Sequence, residues 1–339
     1  MKNDKNGVLL LNLGGPETLA DVRPFLYRLF STPEIIRINN TVCRRLLAWI
    51  ISRAREKKSQ NLYRQIGGGS PLRRITEAQA AALETALAAG ENPARVYVGM
   101  LCGEPSIEEA FDSITADGIK RLTLLPLFPQ YSGTTTGACF RCVQTLVARR
   151  KLSEKIELSF VEDWYENPLY IEAITDRITS ELERFPEKER PGAHILFSAH
   201  SLPERCIIKE GDPYLEQTRK CVSLINARLH ERLNYIMEHS LAFQSRVGPV
   251  KWLEPSVENV IRDLARRGVR RILTVPVSFV SDHVETLYEL DIEYRNLATE
   301  LGVMDFQRAE SLNVHPEFIA ALADICSRTT NRQPRKSIL

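Results

Sequence analysis

One sequence unit occurs twice in the chain, and this repeat limits the fold more than any other feature. Residues 105–136 (PSIEEAFDSITADGIKRLTLLPLFPQYSGTTT) align without a gap with residues 255–286 (PSVENVIRDLARRGVRRILTVPVSFVSDHVET). Each copy predicts a helix that Pro-Ser opens and a glycine closes, followed by an apolar run that ends near a proline. Continuous apolar runs of this kind are typical of strands in buried parallel sheets. The repeat therefore predicts two domains of one α/β type.

A looser second repeat supports this interpretation. VLLLNLGGPE at residues 8–17 resembles ILFSAHSLPE at residues 195–204, each a strand that leads into a loop containing Pro-Glu. A chain of 339 residues also exceeds the roughly 250–300 residues of a single hydrophobic core. We predict two similar doubly wound, Rossmann-like α/β domains with parallel sheets, residues 1–165 and 166–339, with a cleft between them.

The overall composition excludes several classes of function. The net charge is only +2, too small to indicate nucleic-acid binding, and no segment has the roughly 20 apolar residues of a membrane span. Seven scattered cysteines argue against a disulfide framework, and the short N-terminal apolar run argues against a signal peptide. We expect a cytoplasmic protein. Cys139 and Cys142 are either a metal-binding pair or two half-buried helix cysteines.

Candidate functional residues lie where strands are expected to end. Ligands of open α/β sheets bind beyond the carboxyl ends of the strands. Four segments are expected at such ends: the loops after Leu13 and Ser198, QYSGT at residues 130–134, and VSDHVETLYELDIEY at residues 280–294. Where one copy of the repeat has glycine and threonine, the other has His283 and Glu285. His200 follows a predicted strand and is either a proton acceptor or a satisfied core histidine.

An acidic stripe runs through the last of these segments. Glu285, Glu289 and Glu293 recur every fourth residue, and like charges at this spacing destabilise an α-helix by roughly 0.2–0.5 kcal/mol per pair. On an α-helical wheel the apolar residues of this segment cover a wider arc than a surface helix needs, so we expect a largely enclosed helix. Enclosed carboxylates must be paired, protonated or bound to a cation. Imidazole beside carboxylate suits Fe(II), Zn(II) or Co(II). The alternative is a solvated acidic face with Asp282 as the helix N-cap.

One further stretch is both apolar and basic. Residues 44–58, RRLLAWIISRAREKK, could pack on the domain, form the lip of an apolar pocket or rest on a membrane surface.

Several motifs resemble the ferrochelatase family, whose members insert Fe(II) into protoporphyrin IX. They are LFSAHSLPERCIIKEGDPY, AFQSRVGPVKWLEP, VSDHVETLYELDIEY, LLNLGGPETLADVRPFLYRLF, YRQIGGGSPL and LFPQYSGTTTG. The resemblance implies a chelatase-like fold and a lyase of haem biosynthesis. It also implies that His200 accepts pyrrole protons or binds the metal, with Glu285 opposite. The implied metal or proton path comprises His200, Glu285, Asp282, His283, Glu289 and Glu293.

The resemblance further implies a porphyrin site and its partners. The matched positions that bind porphyrin are Leu13, Arg55, Tyr63, Ser70, Tyr131 and Trp252, with Arg55 and Ser70 near the propionates. Leu13 stands where relatives carry methionine or tyrosine, so we expect no axial ligand there. The tail offers only Cys326, so we expect no [2Fe-2S] cluster and no other prosthetic group, with Fe(II) as substrate. The expected partners are protoporphyrin IX and Fe(II), not nucleic acid.

Three alternatives stay open. A chelatase for another metal or tetrapyrrole would need the same residue types. A two-lobed haem or metal carrier would need no turnover. A cytoplasmic location also allows peripheral contact with the inner face of a membrane.

Overall fold

The computed structural model describes residues 5–90, 92–246, 248 and 250–330. The chain divides into two compact units. The first holds the chain up to Trp164 and again from Ile319 onward, and the second runs from Tyr165 to Phe318. The C-terminal helix therefore groups largely with the first unit, whereas the sequence places it in the second domain. The division at residue 165 stays a prediction about domains.

The first unit is built around a four-stranded parallel sheet with the order β2-β1-β3-β4. Its core lies between the sheet and the helices and includes Leu9, Phe111, Leu124 and Val143. The strands are β1 (Asn6–Asn12), β2 (Ala94–Met100), β3 (Arg121–Pro126) and β4 (Glu157–Phe160). The helices are α1 (Val22–Ser31), α2 (Thr41–Gln65), α3 (Leu72–Ala88), α4 (Ile107–Ala116) and α5 (Thr136–Arg149), with a 3-10 turn at Leu19–Asp21.

The second unit repeats this sheet order as β6-β5-β7-β8, again all parallel. Its strands are β5 (His194–His200), β6 (His239–Gln244), β7 (Arg271–Pro276) and β8 (Asp305–Arg308). Its α-helices are α6 (Pro168–Leu182), α7 (Glu204–Glu210), α8 (Tyr214–Leu233), α9 (Val257–Arg266), α10 (Arg295–Glu300) and the start of α11 (Pro316–Thr330). A 3-10 segment covers Glu187–Gly192 and a π-helix covers Glu285–Tyr294.

The internal repeat has the predicted structure in both copies. Helices α4 and α9 begin at equivalent residues, because Ser106 and Ser256 cap them by accepting a backbone N–H three residues ahead. Gly118 and Gly268 follow these helices with φ of 70° and 80°, a left-handed conformation that suits glycine. The predicted fold of two doubly wound parallel α/β domains is confirmed.

The sheet order places the functional edge of the second unit. In a doubly wound sheet the ligand site lies where the chain reverses its direction of growth across the sheet. In the order β6-β5-β7-β8 this point lies between β5 and β7. The loops after these two strands begin at Ser201 and Val277, so His200 and the start of the π-helix flank the same sheet edge.

Helix α2 is the longest in the described part of the chain and leaves apolar side chains in solvent. Val42, Leu46, Trp49 and Ile50 are exposed along it. Arg23 and Arg53 each place a guanidinium over the Trp49 ring, at 5.9 and 5.7 Å from its centroid. No helix among the described residues is both long and apolar enough to cross a membrane.

We predict that Ser106→Ala destabilises the first unit by about 0.5–2 kcal/mol. The Ser106 hydroxyl accepts the Glu109 N–H at 3.2 Å, and the Glu109 carboxylate accepts the Ser106 N–H at 2.7 Å, so the substitution removes half of a reciprocal cap. Urea unfolding measures the change. Ser113→Ala in the same helix is the control and should change stability by less than about 0.5 kcal/mol. Equal effects at both positions would contradict the capping role.

Candidate active site

His200 is the last residue of strand β5, and its backbone is held on both sides. Its N–H donates to the Ser278 hydroxyl at 2.8 Å, and its carbonyl accepts from the Tyr214 hydroxyl at 2.9 Å. Gln244, the last residue of β6, is its partner in the sheet register. The imidazole therefore projects from a backbone that has little freedom to move.

The His200 side chain forms a close pair with the first residue of the π-helix. The His200 Nδ1 lies 2.9 Å from the Glu285 Oε2, and the carboxylate can only accept, so Nδ1 carries the hydrogen. The side chains are 36% and 21% exposed, so the pair is recessed but accessible. The Nε2 of His200 is the ring nitrogen left to react.

The two charges in this pair stabilise each other. Burial lowers the pKa of His200, but the nearby Glu285 carboxylate outweighs burial and raises it above the ordinary value. Burial raises the pKa of Glu285, but the charge of His200 and its hydrogen bond outweigh this and hold it well below the usual range. The Glu285 carboxylate therefore makes His200 a stronger base than a free imidazole.

A second imidazole approaches the same carboxylate. The His283 Nε2 lies 3.9 Å from the Glu285 Oε2, and its Nδ1 lies 3.1 Å from the Ser281 carbonyl. The His283 ring packs against Phe279 with ring centroids 4.5 Å apart, and Phe279 meets His200 edge-on at 6.2 Å. The predicted residues His200, His283 and Glu285 therefore converge on one carboxylate oxygen.

Glu289 is held close to this group by the end of strand β6. The Gln244 amide donates to the Glu285 backbone carbonyl at 2.9 Å and to the Glu289 Oε2 at 3.1 Å. The Ser245 hydroxyl donates to the same Glu289 oxygen at 2.7 Å. Burial, followed by the charge of Glu285, raises the pKa of Glu289 to about 8. At neutral pH the site therefore holds a proton on Glu289 beside an ionised Glu285.

The acidic stripe runs along a π-helix rather than an α-helix. In a π-helix each N–H bonds five residues back, and such segments are rare and frequent at functional sites. Among its ten residues only Thr286 and Leu290 are buried. An α-helical wheel, from which we expected a largely enclosed helix, therefore does not apply. Along the stripe Glu285 is recessed and Glu293 is exposed.

Arg308 fixes the other side of the π-helix to strand β8. Its guanidinium donates to both carboxylate oxygens of Asp291, at 2.9 and 2.8 Å, and to the Asp282 Oδ1 at 3.0 Å. The Arg308 side chain is only 8% exposed. Burial lowers its pKa, but the bond to Asp291 and the charge of Asp282 outweigh this and keep it charged. One cation thus ties the loop before the π-helix and the middle of the helix to the sheet.

Asp282 is already surrounded by donors. Besides Arg308, its carboxylate accepts from side chains of Thr286, Ser311 and Asn313 at 2.8–3.0 Å. These bonds and Arg308 lower its pKa although burial opposes them. The structure thus places Asp282 in a network that shapes the loop. Its role as a metal ligand stays a prediction.

Trp252 lies next to the loop that follows His200. Its backbone forms an antiparallel bridge with Pro203, and the next residue, Leu253, donates its N–H to the Leu202 carbonyl at 3.0 Å. The Trp252 indole nitrogen is buried with no hydrogen-bond partner in the described residues. The contact of Trp252 with porphyrin stays a prediction.

The other predicted porphyrin residues belong to the first unit. Leu13 follows strand β1 and is half-buried, and Tyr63 is buried on α2. The Arg55 guanidinium lies 5.9 Å from the centroid of the Phe30 ring, and Ser70 donates its N–H to the Pro16 carbonyl at 2.7 Å. Tyr131 is half-buried after strand β3. Their contacts with a porphyrin stay predictions.

The cysteines in the Cys139–Cys142 pair differ in their environments. Both are on α5 and are free, but Cys139 is buried and Cys142 is exposed. Burial raises the pKa of both thiols. This disfavours the thiolates that bind metals.

The fold of the chain is similar to that of solved chelatase structures. The sirohydrochlorin chelatase SirB from Bacillus subtilis, in a complex with cobalt, matches with a TM-score of 0.54 and 14% identity over 96% of both chains. A second SirB structure, with Fe3+, matches with a TM-score of 0.55. Likeness at this identity concerns the fold alone. It places the chain in the class of chelatase-like α/β proteins.

The family within this class follows from sequence. Residues 5–330 match the family model for ferrochelatase. The chain is 46% identical to the ferrochelatase of Rippkaea orientalis, covering 98% of this chain and 84% of the relative. For the Gloeobacter violaceus ferrochelatase the identity is 50%, covering 94% of this chain and 96% of the relative. The chain belongs to the ferrochelatase family.

Gln244, Ser245 and Arg308 are among the site residues that were not predicted from sequence. Gln244 and Ser245 lie in the AFQSR segment that carried part of the resemblance, and a glutamine at a strand end followed by serine was the available signal. Arg308 is the last residue of a four-residue strand that the sequence did not reveal. The available signal for Arg308 was an arginine close in sequence to an acidic helix, where it could pair with a carboxylate.

We predict that the stability of Glu289→Gln, measured relative to the wild type, increases as pH rises. The folded protein keeps a proton on Glu289 up to about pH 8, whereas the unfolded chain releases it near 4.5. Rising pH in this window therefore favours unfolding of the wild type, and the variant lacks this penalty. The urea midpoint of the variant, relative to wild type, should increase from pH 5 to pH 8. Glu293→Gln, at an exposed position, is the control, and an equal increase there would contradict the assignment.

Proposed function

We propose that the chain inserts Fe(II) into protoporphyrin IX to give protohaem, in haem biosynthesis, through the His200–Glu285 pair. The observation that carries these residue roles is the 2.9 Å contact between the His200 Nδ1 and the Glu285 Oε2. It lies at the sheet edge where doubly wound domains bind ligands. Membership of the ferrochelatase family supports the reaction itself.

His200 is the proton acceptor in this proposal. Metallation replaces two pyrrole N–H protons with one metal ion, so the reaction needs a base that works near neutral pH. Glu285 holds the Nδ1–H of His200, which fixes the tautomer and presents the Nε2 lone pair. Once Nε2 takes a pyrrole proton, the Glu285 carboxylate stabilises the imidazolium that forms. Release of this proton to solvent, which the 36% exposed side chain can reach, lets His200 accept the second.

The acidic stripe brings the metal substrate to this base. Glu293 is exposed, Glu289 is partly buried and Glu285 is paired with His200, so the carboxylates form a series from solvent to the base. Carboxylate and imidazole donors suit Fe(II). An arriving cation would displace the proton that Glu285 and burial hold on Glu289. His283, 3.9 Å from Glu285 at the inner end of this series, and Asp282 are further candidate ligands.

The porphyrin itself is the second substrate. We assign its contacts to Leu13, Arg55, Tyr63, Ser70, Tyr131 and Trp252, following the resemblance. A guanidinium such as that of Arg55 suits a propionate carboxylate. The expectation of no prosthetic group and no [2Fe-2S] cluster is part of this proposal, and it rests on the lone Cys326 in the C-terminal tail.

The decisive experiment is an anaerobic assay with Fe(II) and protoporphyrin IX that follows the loss of porphyrin fluorescence. His200→Ala should lower the rate by roughly 10²–10⁴, the usual loss for a general base. Glu285→Gln keeps the shape of the side chain but removes its charge, so it should slow the reaction and shift its pH dependence. His230→Ala, at an exposed position on α8, is the control and should match the wild type.

Two results would contradict the proposal. If His200→Ala lowers the metallation rate by less than about tenfold, His200 is not the general base. That result would favour a haem or metal carrier. Faster metallation with cobalt, nickel or a more carboxylated porphyrin would favour a chelatase for another metal or tetrapyrrole.

We also propose that helix α2 makes the peripheral membrane contact of a cytoplasmic protein. The exposed apolar side chains of Leu46, Trp49 and Ile50 occupy the same helix as seven arginines and lysines and one glutamate. Apolar and basic side chains on one helix favour an anionic lipid surface.

A vesicle sedimentation experiment tests this contact. We predict that the wild type binds vesicles containing anionic phospholipid, that binding falls with rising salt, and that Leu46→Ser with Ile50→Ser reduces it. The control exchanges Ile208 and Ile236, two exposed isoleucines of the second unit, for serine. Equal binding by both double variants would contradict a role for α2.

A further inference from the structure

A second group of metal-binding side chains lies in the second unit and shares no residue with the His200–Glu285 pair. Asp176, His315 and Glu317 each offer a ligand atom, and these atoms all lie within 4.8 Å of one another. Asp176 projects from α6, whereas His315 and Glu317 flank Pro316 at the start of α11. Proline at the first position of a helix fixes where it begins, so His315 lies just before α11 and Glu317 lies in its first turn.

Two atoms in this group are buried without a partner. The Nδ1 of His315 and the Oε2 of Glu317 have no hydrogen-bond partner among the described residues. Buried polar atoms in proteins are satisfied in the great majority of cases, and each exception requires an explanation such as a missing water or ion. Both atoms are of types that bind a metal ion.

The charges around the group leave room for a cation. Asp176 and Glu317 lie close to Glu172, and Arg228 and Arg232 are the guanidiniums that pair with this acidic group. Three carboxylates thus face two guanidiniums, and the third guanidinium nearby, that of Arg177, is paired with Glu310. One negative charge is left to be neutralised by a proton or by a metal ion.

The protonation states also suit a metal ligand set. Contact with Asp176, followed by burial, raises the pKa of Glu317 to about 7. Burial, followed by the charge of Arg177, lowers the pKa of His315, so its imidazole is neutral near pH 7. A neutral imidazole has the free lone pair that a metal needs.

We propose that Asp176, His315 and Glu317 bind a divalent transition-metal ion at a site separate from the His200–Glu285 pair. Some point between ligand atoms that are at most 4.8 Å apart lies within about 2.8 Å of all three, so small side-chain rotations reach the roughly 2.0–2.2 Å bonds of Zn(II). One imidazole with two carboxylates suits Zn(II), Co(II) or Fe(II). Three protein ligands leave a coordination position open, so the ion can exchange.

Cobalt titration of the metal-free full chain tests the site. Equilibrium dialysis measures the number of bound Co(II) ions, and visible absorption reports an imidazole ligand and the coordination geometry. At micromolar Co(II), His315→Gln and Glu317→Gln should each bind about one equivalent less than the wild type, whereas exposed His230→Gln should bind the same amount. His200→Ala should lose a different equivalent with a different spectrum, and His315→Gln should keep its porphyrin metallation rate within about twofold.

If Glu317→Gln and His315→Gln bind as much Co(II) as the wild type, with the same spectrum, the group holds only a shared proton and the proposal is wrong. Urea midpoints of the variants check that they are folded. Glu317→Gln alone decides the matter if His315→Gln is unfolded, because the amide replaces the carboxylate without a change of size.

Discussion

The hydrogen bond between His200 and Glu285 brings two opposite charges together in a recess, and the other contacts of the site follow from that placement. Charged groups taken out of water must be paired or neutralised. Glu285 has His200 as its partner, whereas Glu289 is neutralised by a proton and by donors from Gln244 and Ser245. The site therefore holds one proton on Glu289 beside an ionised Glu285.

This arrangement requires both ends of the pair to be fixed. Strand β5 fixes His200 through Ser278 and Tyr214, and Gln244 on the neighbouring strand fixes the Glu285 backbone. On the other side Arg308 holds two aspartates of the π-helix region. A π-helix is rarer than an α-helix and intrinsically less stable. These side-chain hydrogen bonds and ion pairs therefore stabilise it. These bonds, together with the proton on Glu289, keep the carboxylate stripe in position.

Much of the fold could be predicted because the chain contains one unit twice. The repeat gave α4 with β3 and α9 with β7, and the differences between the copies pointed to His283 and Glu285. Strand β8 was missed because its four residues are too few to show a period. The π-helix was missed because its wider turn comes from contacts with Gln244 and Arg308, which are distant in sequence. The roles of Leu13, Tyr63 and Trp252 depend on a bound substrate, so neither sequence periodicity nor the structure of the chain tests them.

Glu285 makes the His200 imidazole more basic than a free imidazole. Nitrogen NMR of the metal-free protein, with 15N-labelled histidine and assignment by His200→Gln, measures the protonation of both ring nitrogens against pH. We predict that His200 titrates above the ordinary value of about 6.5 and that Glu285→Gln lowers its pKa. A His200 that titrates at or below 6.5, and is unaffected by Glu285→Gln, would contradict it.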